Sequence, residues 1–495
     1  MNHNLPRSTP EAQGLPSSAI TAFLDGAEEA GLELHSLMLL RHGHVVAEGW
    51  WEPYTADGVQ LLYSLSKSFT ATAIGLAVHE GLLSVDDSVL DFFPHEAPQN
   101  PHPHLTALRV RHLLSMATGH IEDTLEPIAR RYASDWLEGF LALPPEREPG
   151  SVFTYNNGAT FMLSAILHEV TGMGLLEYLR PRLLEPLGIT KARWDRTPQG
   201  LEHGFSGLHT TTEAIAKLGQ LYLQRGHWEG QQLLPEAWVE EATRLHIANA
   251  PAGSVPGEDP SDWAQGYGYQ FWRCRHDAYR GDGAFGQFCV IIPEEDAVLA
   301  ITSATMDMQI VLDLVWRHLL PALQARAKPL PEDTSLGQTL SKRLAGLKLP
   351  PVTGERSSII EPSVLGRTYR FEEPAAASDT PLYRPLPKLS GFKFEITETG
   401  WRLELHHEDE VHALGCGHEG WLPASPGFLA IYPGPVRVSA AWTADDVFTI
   451  NILYLETPHT LILGLRFSGD TVRLEPRWNV QFGALELPTL TGRQL

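Results

Sequence analysis

The run from Phe69 to Val78 is apolar on nearly every face of a helix, and it narrows what this chain can become more than any other stretch. Ala71, Ala73, Ile74, Leu76, Ala77 and Val78 leave no polar stripe, and Gly81 supplies a left-handed stop. Such a helix is expected to be buried all round, inside a domain large enough to enclose it. Tyr63-Ser64-Leu65-Ser66-Lys67-Ser68 leads into it. Ser64 and Lys67, three apart, share a helix face and can touch. Burial disfavours the ammonium form, so Lys67 is expected to lose its proton near neutral pH and to act as a base. A serine beside such a base is an activated nucleophile.

Ser-x-x-Lys is a weak pattern by itself. Ser390-Gly391-Phe392-Lys393 fits it too. There Phe392, Phe394 and Ile396 alternate as in a strand, where residues three apart face opposite ways. The competing reading of the first copy is a buried helix with a snorkelling lysine. The rest of a site decides between them.

Acyl transfer also needs a proton shuttle, a group to hold substrate and donors for an oxyanion. Tyr155-Asn156-Asn157 follows Pro149-Gly150 and precedes a helix expected from 158, which places Tyr155 and Asn157 at a helix start. Of the 13 tyrosines, Tyr155 alone has asparagine two residues on. Beside a buried lysine it can be held partly as phenolate and relay a proton. Asn157 can bind a substrate amide while contacting Lys67. The third element is Gly281-Asp282-Gly283-Ala284-Phe285-Gly286, entering a strand at Gln287. Its small residues allow a substrate to lie along the strand edge, and the Ala284 N–H can join that of Ser64 around an oxyanion. Alone, it reads more simply as a glycine-rich hairpin.

Taken together, Ser64-x-x-Lys67, Tyr155-x-Asn157 and the glycine motif near 281–284 resemble, in order and spacing, the serine hydrolases related to class C β-lactamases and D,D-peptidases. Flanking phrases match as well: Arg111-His112-Leu113-Leu114-Ser115-Met116, Glu185-Pro186-Leu187-Gly188-Ile189 and Thr210-Thr211-Thr212-Glu213. The resemblance spans roughly residues 10 to 325. It implies Ser64 as nucleophile, Lys67 as its partner and Tyr155 as proton shuttle, with Asn157 and Asp282, Gly283 and Ala284 as the substrate platform. One departure matters. The antibiotic- and peptidoglycan-directed members carry Lys-Thr-Gly or a close variant in the third motif, where its cation helps meet the substrate carboxylate. Here the triplet is Gly281-Asp282-Gly283, or Asp282-Gly283-Ala284 one residue on. An acid replaces a base and repels a carboxylate, unless Arg280 offsets it. The implied activity is therefore that of a carboxylesterase or amidase similar to the aminohexanoate-oligomer hydrolases, with a β-lactamase or D,D-peptidase as the alternative.

The expected architecture is α/β (α+β) and β-lactamase-like over residues 1–325. A helix at 17–31 and two strands, His35 to Leu40 and Val45 to Trp50, come first, joined by a tight turn at Arg41-His42-Gly43-His44. Helices are expected after Ser84 and Ser134 and at 158–171, 211–225 and 235–245, forming an all-helical lobe. Strands at Tyr267 to Trp272, Gln287 to Ile292 and Ala297 to Thr302 complete an antiparallel sheet, closed by a helix from Met308 to Ala325. Residues 326–362 read as a linker with one helix near 335–346. Residues 363–495 alternate with a period of two, as in Lys393 to Thr397, Arg402 to His406, Phe428 to Tyr432, Phe448 to Tyr454 and Leu461 to Phe467, with Thr399-Gly400 among the turns. They are expected to form an antiparallel β-barrel or sandwich.

With 37 basic against 60 acidic residues and a net charge of −23, neither nucleic acid nor an anionic membrane is an expected partner. The sequence leaves homo-oligomers open. Three scattered cysteines indicate no disulfide framework, and Met1 to Arg7 lacks the features of a secretory signal, so a cytoplasmic protein is expected. No cofactor is implied. An α/β-hydrolase is excluded by the lack of a Gly-x-Ser-x-Gly elbow. His102-Pro103-His104 and the group His406, His407, His412, Cys416 and His418 lack zinc-site spacing and read as exposed histidines. A binding module or penicillin sensor that acylates once remains the non-enzymatic rival.

Overall fold

The computed structural model describes residues 5–251, 260–325, 329–331, 333–372, 389–397, 400–407, 409–425, 427–429 and 431–495. The chain forms two compact units. Met1–Trp50, Val59–Ser303 and Asp307–Gly346 make the first, and Trp51–Gly58, Ala304–Met306 and Leu347–Leu495 the second.

The first unit is built on a six-stranded antiparallel sheet. Its strands are β1 (Leu34–Arg41), β2 (His44–Trp50), β3 (Trp272–Arg273), β4 (Tyr279–Gly283), β5 (Gln287–Ile292) and β6 (Ala297–Ser303), in the order β2-β1-β6-β5-β4-β3. Every residue of β1, β5 and β6 is buried, so both faces of the sheet are covered. Helix α1 (Ser17–Glu29) packs on the closing helical stretch Met308–Ala325. Helix α2 (Ser66–His79) is buried without interruption from Ser66 to Ala77, as its all-round apolar sequence requires. Its hydroxyls are satisfied by turns of other segments: Ser68 donates to the Gln270 carbonyl at 3.0 Å and Thr70 to that of Gly204 at 2.8 Å. Helix α3 (Asn157–Thr171) is the longest member of the helical lobe, and α4 (Thr212–Leu223) lies across β1, β5 and β6.

Several local expectations are corrected. Of the expected strand Tyr267 to Trp272 only Trp272 falls in one, at the start of β3: Gln270 is left-handed at φ 62°, and the Tyr269 and Gln270 amides donate to Ala242 and Leu114 rather than to a ladder. Its alternating aromatics are simply all buried. The strand that pairs with β5 on the side away from β6 is β4, hidden from sequence reading by two glycines and an aspartate of poor β propensity. After Ser84 there is no capped helix; the Ser84 amide donates to Asp87 and its hydroxyl accepts from Asp86, closing a local turn instead. The helix Trp136–Leu141 is capped by Asp135, not Ser134, through the Glu138 amide at 3.0 Å. In the expected linker, 326–328 and 332 lie outside the described residues. Its helix, Thr334–Ala345, packs on α1, where Arg343 pairs with Asp25 and Glu28.

Among the described residues of the second unit, ten strands between Thr368 and Gln494 form one antiparallel sheet that is nearly closed, like a barrel. Near its two edges Gly417 bridges Ser439, and the interior holds Phe392, Phe394, Trp401, Trp442 and Phe448. Of the expected strand Phe428 to Tyr432, residue 430 lies outside the described residues, and Gly427–Leu429 forms a 3₁₀ turn begun by Gly427 at φ 54°. Thr399 lies outside the described residues. The second Ser-x-x-Lys copy is strand-borne, with Lys393 paired to Glu395 at 2.5 Å.

Candidate active site

Ser64 stands in a 3₁₀ turn, Tyr63–Leu65, that feeds α2. Lys67 follows in the first turn of α2, on the same face three residues on, and its Nζ lies 3.0 Å from Ser64 Oγ. Tyr63, just before the serine, is held at φ 48°, a conformation costing about 1–3 kcal/mol that the packing of its ring edge-on to Phe285 helps to fix. Ser64 stays half-exposed, whereas Lys67 is 1% exposed.

Lys67 Nζ donates to Asn157 Oδ1 at 2.7 Å and to the Phe205 carbonyl at 3.0 Å. Burial lowers its pKa to about 7, against the opposing pull of Asp123 and Asp282. Tyr155 sits on the loop before α3 and its hydroxyl hydrogen-bonds Ser64. Its ring lies 4.7 Å from Lys67 Nζ and stacks on Trp272. Burial, then the charge of Asp282, push the Tyr155 hydroxyl well above the usual tyrosine range. That direction runs against the partial phenolate expected from sequence, because burial and Asp282 outweigh Arg280 and the Ser64 hydrogen bond.

Asn157 is the first residue of α3. Its backbone N–H donates to Asp123 Oδ1 at 2.8 Å and its side-chain Nδ2 to Asp123 Oδ2 at 2.6 Å. Asp123 carried no sequence signal, being one acid among 60 on a loop.

β4 backs onto the serine turn. A Cβ at Gly281 would fall 2.4 Å from Leu65 and 2.5 Å from Ser68 Oγ, and one at Gly283 would fall 2.0 Å from the Leu62 carbonyl oxygen. Glycine is demanded by this contact, which brings the 281–284 stretch beside Ser64. Ala284 follows β4 in the turn to β5 and is partly exposed. The alternation of β4 puts Arg280 and Asp282 on one face, where they pair at 2.8 Å with both side chains buried. Arg280 also donates to the Asp262 carbonyl at 2.8 Å and lies 4.3 Å over the Trp263 ring. Its guanidinium is thus engaged inside the protein rather than offered to a substrate carboxylate.

An antiparallel sheet beside a helical lobe, with Ser-x-x-Lys at the head of a buried helix, defines a class, and residues 20–318 match the model of the beta-lactamase family: the chain belongs to that family. Among curated relatives it is 24% identical over 293 residues to the 6-aminohexanoate-dimer hydrolase of Paenarthrobacter ureafaciens, covering 55% of this chain and 73% of that protein. It is 24% identical over 166 residues to the lovastatin esterase of Penicillium rubens, covering 29% of this chain and 41% of that one. A solved structure, a putative 6-aminohexanoate-dimer hydrolase from Bacillus anthracis, superposes with a TM-score of 0.53 at 20% identity, over 66% of this chain and 89% of that one, a likeness of fold.

Proposed function

We propose that this chain is a serine hydrolase that cleaves an ester or amide through an acyl-enzyme on Ser64, as a carboxylesterase or amidase rather than an antibiotic-directed enzyme. The observation that carries this reading is the Lys67 amine, desolvated to a pKa of about 7 and 3.0 Å from Ser64 Oγ. In its neutral form the amine takes the serine proton as Oγ attacks the substrate carbonyl. The backbone N–H groups of Ser64 and Ala284 receive the oxyanion. As the carbonyl–leaving-group bond breaks, Tyr155 gives its hydroxyl proton to the departing oxygen or nitrogen and regains one from the Lys67 ammonium, so the net transfer runs from serine to leaving group. Water then enters by the same route reversed and releases the acid. Asn157 keeps one Nδ2 hydrogen beyond that given to Asp123, available to a substrate carbonyl.

The inward engagement of Arg280 supports neutral esters and amides over substrates with a carboxylate next to the scissile bond. Relatives named as a 6-aminohexanoate-dimer hydrolase and a lovastatin esterase support an amide or ester as the bond cleaved. Intact-protein mass spectrometry after brief exposure to a short-chain nitrophenyl ester tests the reading. A transient acyl adduct on Ser64 that disappears as the ester is consumed is expected. A permanent adduct would make the protein a sensor, and turnover retained in Ser64→Ala would refute the nucleophile.

A further inference from the structure

We propose that Asp123 is a positioning residue for the reaction at Ser64, its carboxylate gripping Asn157 by two N–H groups so that Asn157 Oδ1 is presented to Lys67. The inference rests on the reading of Ser64 as nucleophile and extends it to a loop that no motif marks.

An asparagine amide can face a lysine in two ways, with oxygen or with NH₂, and only the first is attractive. Here the choice is forced. Asp123 Oδ2 accepts from Asn157 Nδ2 at 2.6 Å, which leaves Oδ1 to accept from Lys67 Nζ at 2.7 Å. Asp123 Oδ1 takes the Asn157 backbone N–H at 2.8 Å, fixing the first turn of α3 and the side chain together. The Asp123 loop is itself clasped to the next residue back: Asn156 Oδ1 accepts from the Thr124 backbone N–H at 3.2 Å and from its hydroxyl at 2.8 Å, and both residues are buried. The Asp123 carboxylate also accepts from the Leu125 amide at 3.1 Å. A half-buried acid held by its own loop thus acts on Lys67 through one intervening amide.

Two effects on the lysine follow. The first is geometric, because Lys67 is steered to Ser64 by its other acceptors, Asn157 Oδ1 and the Phe205 carbonyl. The second is electrostatic. The charged and titratable groups around Lys67 are Asp123, Asp282 with its partner Arg280, and Tyr155; both acids favour the lysine cation. Removing the Asp123 charge therefore makes Lys67 easier to deprotonate, while removing its grip loosens the amide that aims the amine.

Asp123→Asn and Asp123→Glu separate these effects, with Ser64→Ala alongside and nitrophenyl butyrate as the probe. If Ser64→Ala retains turnover, the nucleophile assignment has failed and the inference with it, whatever the Asp123 variants do. If Ser64→Ala is dead, Asp123→Asn is expected to shift the acid limb of the kcat/KM profile to lower pH and to lower the plateau kcat about 10-fold or more, with KM changed much less. Asp123→Glu keeps the charge but not the two-point grip, so its limb stays while kcat falls. An unmoved limb with unchanged kcat in Asp123→Asn overturns the proposal, as does a loss accounted for by unfolded protein with the remaining activity following the wild-type profile. Should Asp123→Asn not fold, unchanged kcat in Asp123→Glu overturns it by itself.

Discussion

Gly283 lies so close to Leu62 that a Cβ at position 283 would stand 2.0 Å from the Leu62 carbonyl oxygen. The obstacle is backbone, two residues before the nucleophile, and cannot rotate aside. Gly283→Ala is expected to push β4 away from the serine turn, costing about 1–3 kcal/mol of stability by overpacking. Moving the Ala284 N–H with the strand should also lower kcat/KM about 10-fold to 100-fold. Urea unfolding and ester turnover measured on the same preparation check both.

The Lys67 amine must be neutral to take a proton from Ser64, and burial brings its pKa to about 7. The kcat/KM of an ester is expected to rise about tenfold per pH unit below that value and to level off above it. Lys67→Arg replaces a base with a group that stays charged at every useful pH, so turnover should fall about 10³-fold or more. The same shift affects stability. Between about 7 and 10.5 the unfolded chain binds more protons at this site than the folded one, so the Lys67 contribution to stability increases as pH rises through that window and is lost as it falls. A pH–rate profile on an uncharged ester, with a parallel unfolding series, measures both.

Arg280 and Asp282 form a buried pair 2.8 Å apart. Arg280→Met leaves the Asp282 carboxylate unpaired and is expected to cost about 3–5 kcal/mol. Replacing both, as in Arg280→Met with Asp282→Leu, should recover most of that loss, because the pair's own desolvation is removed with it. Unfolding midpoints of the single and double variants give the answer. A single variant as stable as the parent would mean the guanidinium is not spent on Asp282.

Much of this was legible in the chain. The largely apolar run after Phe69 reads as a buried helix, and Ser64, Lys67, Tyr155 and Asn157 converge as the resemblance implied. Strand β4 was not legible, because Gly281, Asp282 and Gly283 are poor strand formers selected by close backbone contact, which propensity does not register. Tyr267 to Trp272 misled for the opposite reason: its alternating aromatics are buried by packing, with backbone hydrogen bonds that run elsewhere. Asp123 was invisible because its role exists only once the loop after Gly119 meets the start of α3. The upward shift of Tyr155 also needed three dimensions, since burial and Asp282 raise it while the Ser64 hydrogen bond and Arg280 pull the other way.

The most direct test is a side-by-side turnover assay of a short-chain nitrophenyl ester and a chromogenic cephalosporin, each repeated with Ser64→Ala and with Ser390→Ala. Ester hydrolysis that is abolished in Ser64→Ala and untouched in Ser390→Ala, with little or no cephalosporin turnover, is the expected result. Efficient hydrolysis of the cephalosporin would contradict it: a cation would then be meeting the substrate carboxylate despite the inward engagement of Arg280, and the β-lactamase reading would replace the esterase one.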